Sequence, residues 1–177
     1  MNGTQFSMKT LLFLLPFLAL ASAQAAEHPS ELAPVAPLVG QAWLADVPQP
    51  KDAAALQLEA KFDWAENGQA IRFTSAWVRG GKKSPYTSGF YAWNAAKKQI
   101  VIFYTDAQGS LTEGSATVEN GALVHELSVA EKEGTMTPVQ TRLAFKPGGE
   151  AWTNEIFIKK DGAWTPFVAV TYARPKS

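Results

Sequence analysis

The sequence predicts an all-β protein: an antiparallel up-and-down meander closed into a 9–10-stranded barrel, with a short N-terminal helical or Pro-rich plug. Turn signals recur roughly every 8–12 residues from Leu56 to Arg174. They read Asn67-Gly68, Gly80-Gly81, Asn94 to Lys97, Asp106 to Gly109, Asn120-Gly121, Glu133-Gly134, Pro147 to Gly149 and Asp161-Gly162. The runs between them are half polar and half apolar, the pattern of strands with one buried face. Tight turns join antiparallel neighbours, and a long meander either closes on itself or leaves adhesive edges.

Residues 1–26 read as a cleaved signal peptide. Lys9 provides the positive region, Leu11 to Leu20 the apolar region, and Ala21 to Ala25 the small residues of a cleavage site. Met8, directly before Lys9, reads as the natural start. The alternative is a membrane anchor, for which the run falls short of the ~20 residues needed to span a bilayer. The expected destination is the periplasm or the exterior of a bacterial cell. The remaining chain of about 150 residues is one domain by length. It contains no Cys, so neither a disulfide nor a lipidated N-terminus enters its chemistry.

Residues 27–50 form the plug segment and first strand. Pro29, Pro34, Pro37, Pro48 and Pro50 limit any helix there to a turn or two. Leu32, Val35 and Leu38 are the expected packing residues of a plug against one barrel end, and Trp43-Leu44 opens a short strand. A loose leader is the alternative for residues 27–33.

Residues 51–174 make the barrel, followed by a tail at 175–177. Leu56, Leu58, Ala60, Phe62 and Trp64 alternate cleanly against Gln57, Glu59, Lys61 and Asp63. Ile71, Phe73, Ser75 and Trp77 share the apolar face of the next run. In the third run Tyr86 and Phe90 are placed on one face, Tyr91 and Trp93 on the other. Residues 100–104 are apolar throughout, so both faces are covered or one is a packing patch. The run from Leu111 to Glu119 is the most polar. Leu123, His125, Leu127 and Val129 share a face, as do Val139, Thr141, Leu143 and Phe145. Trp152, Asn154, Ile156 and Ile158 do so in the following run. In the last run one face is expected to hold Trp164, Pro166, Val168, Val170, Tyr172 and Arg174. Gly89 and Gly114, inside strands, mark bulges or sharp bends, with close ligand approach as the alternative. Pro138 is expected at a bulge or an outward edge position.

Pro37 to Trp43 resembles the opening of lipocalin-like (calycin) barrels, and Tyr172-Ala173-Arg174 resembles their closing strand. The resemblance implies that Arg174 packs across Trp43 as a cation–π plug at the closed end. The spacing here is Gly40-x-x-Trp43 where the family has Gly-x-Trp, and only three residues follow Arg174, without the family's C-terminal helix. The chain is thus more similar to uncharacterised exported lipocalin-like domains, or to the ten-stranded fatty-acid-binding and nitrobindin barrels. Nitrobindins hold haem through a His near the C-terminal strands, and Asn154 to Arg174 contains none.

Composition narrows the functions. Sixteen basic and sixteen acidic residues balance, and basic clustering goes no further than the short pairs Lys82-Lys83, Lys97-Lys98 and Lys159-Lys160 at turns, so nucleic acid is not an expected partner. Metal sites need three or more donors, and His28 and His125 are the only histidines, so no metal or other cofactor is expected. No nucleophile elbow, catalytic Cys or His–carboxylate pairing is readable, so no catalytic residue is assigned, and an enzymatic role is left open but disfavoured. The polar strand at 111–119 and the lack of a terminal aromatic count against an outer-membrane barrel. What remains is the interior. Ser75, Trp77, Tyr104, His125, Thr141, Asn154 and Tyr172 are the candidate lining of a cavity for a small apolar or amphipathic ligand. The alternative is a filled barrel serving as a structural or interaction domain of the cell envelope. Oligomeric state is not readable.

Overall fold

The computed structural model describes residues 27–51, 53–131 and 134–175; the expected signal segment and the last two tail residues lie outside them. Ten strands follow in order: β1 Ala42–Val47, β2 Leu56–Trp64, β3 Ala70–Arg79, β4 Lys82–Asn94, β5 Gln99–Asp106, β6 Leu111–Glu119, β7 Ala122–Ala130, β8 Met136–Phe145, β9 Ala151–Lys160 and β10 Ala163–Ala173. Each is antiparallel to its sequence neighbour, and β1 meets β10 to close the barrel. The polar run at 111–119 is a full strand, because its backbone pairs on both sides, with β5 and with β7.

The turns work as their chemistry requires. Asn120-Gly121 and Asp161-Gly162 are two-residue connections with φ of 50° and 78°, and of 51° and 83°. Positive φ at both positions defines the type I′ turn, whose twist matches that of the flanking strands.

Two β-bulges reverse local face assignments. Ser75 of β3 pairs with Thr87, but Ala76 pairs with Pro85, so Tyr86 is the extra residue. The insertion separates Tyr86 from Phe90: Tyr86 turns to the barrel mouth and Phe90 lies outside, 39 % exposed. On β10, Pro166 pairs with Phe157 and Val168 with Ile156, leaving Phe167 bulged. Val168, Val170 and Tyr172 keep the expected face, whereas Trp164 and Pro166 pair with the outward residues Lys159 and Phe157 and point out. An extra residue in one strand shifts the two-residue period beyond it.

Gly89 and Gly114 have a different cause. Their ladders run without a shift, Phe73–Gly89–Tyr104 and Ile102–Gly114–Leu127. A Cβ at Gly89 would collide with the Phe103 carbonyl oxygen, and one at Gly114 with the Glu126 carbonyl oxygen. They are close-approach positions rather than bulges. Pro138 pairs opposite Ser128 without a bulge, and β8–β9 pairing begins one residue later at Val139. The ladder that its missing N–H would break has not yet started on that side. In the apolar run of β5, Ile102 and Tyr104 face in while Phe103 stacks on Phe90 outside, ring centroids 5.4 Å apart.

Residues 27–41 close one end of the barrel. Two short 3₁₀ turns, Ser30–Leu32 and Ala36–Leu38, bury Leu32, Val35 and Leu38 completely. Their prolines restrict them to single turns, and packing of the three aliphatic side chains supplies the hold. His28 stacks on Trp64 at 3.7 Å and makes a 3.1 Å ring-nitrogen hydrogen bond with the Gly68 carbonyl. The segment is thus tied down from its first described turn. Trp43 is buried, donates Nε1–H to the Leu38 carbonyl at 2.9 Å, and carries the Arg174 guanidinium 5.7 Å above its ring.

At the seam, β1 and β10 register through one pair, Leu44 with Ala173, whereas every other adjacent pair registers over at least six positions. Among the described residues no helix is long and apolar enough to cross a membrane.

Candidate functional site

The inward faces of the strands line a cavity of about 330 Å³ above the plug, open at the opposite end. Its floor is aromatic. Trp152 lies parallel to Tyr172, centroids 4.0 Å apart and planes 9° from each other. Phe62 meets the Trp152 ring edge-on at 6.4 Å, and Trp43 meets it from the plug side at 6.2 Å. Phe73 continues the wall, 5.5 Å from Tyr91 and 5.8 Å from Tyr104. Edge-to-face and offset pairs of this kind suit the ring quadrupoles and hold the rings in fixed orientations.

Polar groups interrupt this wall at set places. His125 on β7 is directly paired with Thr141 on β8, and its Nδ1 lies 2.8 Å from the Thr141 hydroxyl. Its Nε2 lies 3.1 Å from the hydroxyl of Tyr91, which belongs to β4. Burial drives the His125 pKa down to about 4 against the opposing hydrogen bond from Thr141, so the ring is neutral at pH 7. One ring nitrogen therefore donates and the other accepts, which suits two hydroxyl partners that can do either. Burial also raises the pKa of Tyr91 and Tyr172. Tyr104 is raised by burial too, against a hydrogen bond from Thr112. Near the mouth the Ser75 and Thr87 hydroxyls bond each other across β3 and β4. Trp152 Nε1 and Asn154 Oδ1 are buried with no hydrogen-bond partner among the described residues.

Six of the residues singled out from the sequence meet around this cavity: Ser75, Tyr104, His125, Thr141, Asn154 and Tyr172. Trp77 does not line it. It sits on the same face of β3 closer to the rim and packs against Tyr86 at 4.8 Å. Sequence reasoning missed Tyr91, Trp152, Thr112 and Tyr86. Trp152 was findable, since it shares a face with Asn154 two residues away. Tyr86 was not, because a bulge brings it there.

Among the described residues the lining contains no Lys or Arg, and Asp106 at the mouth is its one carboxylate. Among the described residues no three His, Asp or Glu side chains converge as metal donors. His125 touches hydroxyls rather than a carboxylate. The arrangement offers enclosure, stacking surface and neutral hydrogen bonds. A second depression of about 770 Å³ lies on the outer wall between Phe90, Phe103, Glu113, Ser115, Pro138 and Trp164. It gathers none of the buried polar groups.

Fold and cavity together define the class: a closed ten-stranded antiparallel barrel whose interior is lined by aromatic and neutral polar side chains. No family model matches the chain, and no curated protein matches it either. Among solved structures it is similar to the crystal structure of Rv2717c from M. tuberculosis, with a TM-score of 0.53 at 14% identity. That match covers 85% of this chain and 100% of the other, and it establishes a common fold.

Proposed function

We propose that the chain is an exported, lipocalin-like barrel that takes a small apolar or amphipathic molecule into its interior. The observation that carries this reading is the interior cavity of about 330 Å³, open at the barrel mouth, which exceeds the ~300 Å³ lower bound of ordinary ligand sites. A predominantly apolar wall with a few placed polar groups is the usual composition of such sites. Export, to the periplasm or beyond, rests on the charged, apolar and small-residue pattern of residues 1–26.

The test is to express the full chain in a bacterium, recover the processed protein without detergent, and examine it by native mass spectrometry. The expected result is a bound small molecule, or uptake of an apolar fluorescent dye by the stripped protein. A protein that carries nothing and takes up no dye is a filled-barrel structural domain. Recovery of unprocessed chain in the cytoplasm would overturn the export part alone.

A further inference from the structure

The outer wall carries a row of side chains whose two halves complement each other. Strand registers place Phe103 of β5 beside Glu113 of β6, Glu113 beside Ser128 of β7, and Ser128 beside Pro138 of β8. One step beyond the Val139–Ile158 pair stands Lys159 of β9, which pairs with Trp164 of β10. All six lie along the outer depression of about 770 Å³. Counted from the boundary between β7 and β8, the row reads Ser, Glu, Phe in one direction and Pro, Lys, Trp in the other.

The neighbouring outward row obeys the same symmetry. Ser115 of β6 pairs with Glu126 of β7, Glu126 with Gln140 of β8, and Gln140 with Phe157 of β9. A two-fold axis along the β7–β8 boundary sets Glu113 against Lys159 of a second copy, Phe103 against its Trp164, and Glu126 against its Gln140 amide. No like charges meet among these residues. An axis through β6 would instead oppose Glu113 to its own copy.

Both flanks are left uncovered. Phe103 and Trp164 are each 37 % exposed, and Phe90 stacks beside Phe103. Exposed aromatic side chains grouped on one face mark an interaction surface. Among the described residues ion pairs form only at Glu59, with Lys61 and Lys83, so Glu113, Glu126 and Lys159 bring unspent charge to this face. Lys159 lies 5.8 Å from the Trp164 ring, which holds the cation at the flank where the row needs it.

We propose that the outer wall of β5–β10 binds a second copy of this chain, through a two-fold contact with reciprocal Glu113–Lys159 pairs. Such an isologous contact closes at two copies. The aromatic flanks meet first, and the long Glu113 and Lys159 side chains cross the wetter middle. A face ~24 Å across from β5 to β10, and as tall, buries about 1,200 Å² in the two copies together, the low end of specific interfaces, so the association is reversible. The contact is independent of what the interior holds.

Sedimentation equilibrium of the processed chain, without detergent, should show a monomer–dimer equilibrium that weakens as salt is raised. Glu113→Lys sets two cations at each contact and Lys159→Glu two carboxylates, so either variant alone should dimerise at least about tenfold more weakly. Mixed in equal amounts, the two variants regain opposite charges at both contacts and should pair with each other about as tightly as wild type pairs with itself. Both positions are exposed, and unchanged circular dichroism and thermal melting show that each variant keeps its barrel. Wild type that stays monomeric at high concentration overturns the proposal and leaves interior binding standing. A dimer that either substitution leaves unchanged overturns it too, as does a mixture that recovers no pairing.

Discussion

The hydroxyl of Tyr91, on β4, meets Nε2 of His125, on β7, at 3.1 Å inside the barrel. With Thr141 on the other ring nitrogen, the contact forms a buried chain of three neutral groups spanning three strands. Polar groups in such a setting are worth little when satisfied and costly when orphaned. Tyr91→Phe removes the hydroxyl and leaves His125 Nε2 without its partner. Urea unfolding should show a loss of about 1–3 kcal/mol, with the barrel's circular dichroism unchanged. A loss under about 0.5 kcal/mol would mean that the contact is not made.

The same histidine imposes a pH dependence. Its folded pKa of about 4 lies below the unfolded value of ~6.5, so between these values the unfolded chain binds the extra proton. Stability is therefore complete above pH ~6.5, falls as the pH drops toward about 4, and loses nothing further to this group below that. The full effect is on the order of 3 kcal/mol. His125→Gln should remove this component, seen as a smaller difference in unfolding free energy between pH 4.5 and 7. An identical pH profile in wild type and variant would refute the assignment.

Glycine replaced by alanine in a strand ordinarily stabilises, by roughly 0.5–1 kcal/mol. Gly114 should behave in the opposite sense, because a Cβ there runs into the backbone carbonyl of Glu126. Gly114→Ala is expected to cost about 1–3 kcal/mol, the range of overpacking, and Gly89→Ala the same against Phe103. Thermal melts of the two variants decide it, and a rise in Tm for either would show that the strands have room to part.

At the plug, Leu38→Ala should cost about 2–5 kcal/mol, since the side chain is fully buried and its shell is fixed by the barrel end. Arg174→Met should cost less than about 1 kcal/mol, because Arg174 is exposed and its pairing with Trp43 is water-screened. Chemical denaturation of both variants tests the ranking. A reversal would place the hold of the plug in the cation–π contact instead of the aliphatic packing.

The meander was legible because its turns are chemical: Asn120-Gly121 and Asp161-Gly162 demand positive φ at both positions, and few other dipeptides tolerate it. The inward face of β2 and of β7 followed from strict alternation. Faces failed at β4 and β10, where Tyr86 and Phe167 are inserted. Neither residue type announces a bulge, and the shift is visible only in the pairing with the next strand. The site was legible where one face is polar against apolar neighbours, as at His125 and Thr141. It was not legible at Tyr91, whose partner lies 34 residues away, nor at Tyr86, which a bulge brings to the cavity.

The one-pair seam between Leu44 and Ala173 makes the barrel mechanically unequal around its circumference. Nine junctions are long zippers, and the tenth is a clasp, fastened beside the plug and continued by Trp43 and Arg174. Such a wall has a built-in line of weakness along β10, the strand most exposed over its length. Partial opening there needs only the clasp to release, far less than global unfolding, so β10 amides should exchange with solvent ahead of those in β6 and β7. The easiest large motion of this molecule is then the unrolling of a sheet from one edge.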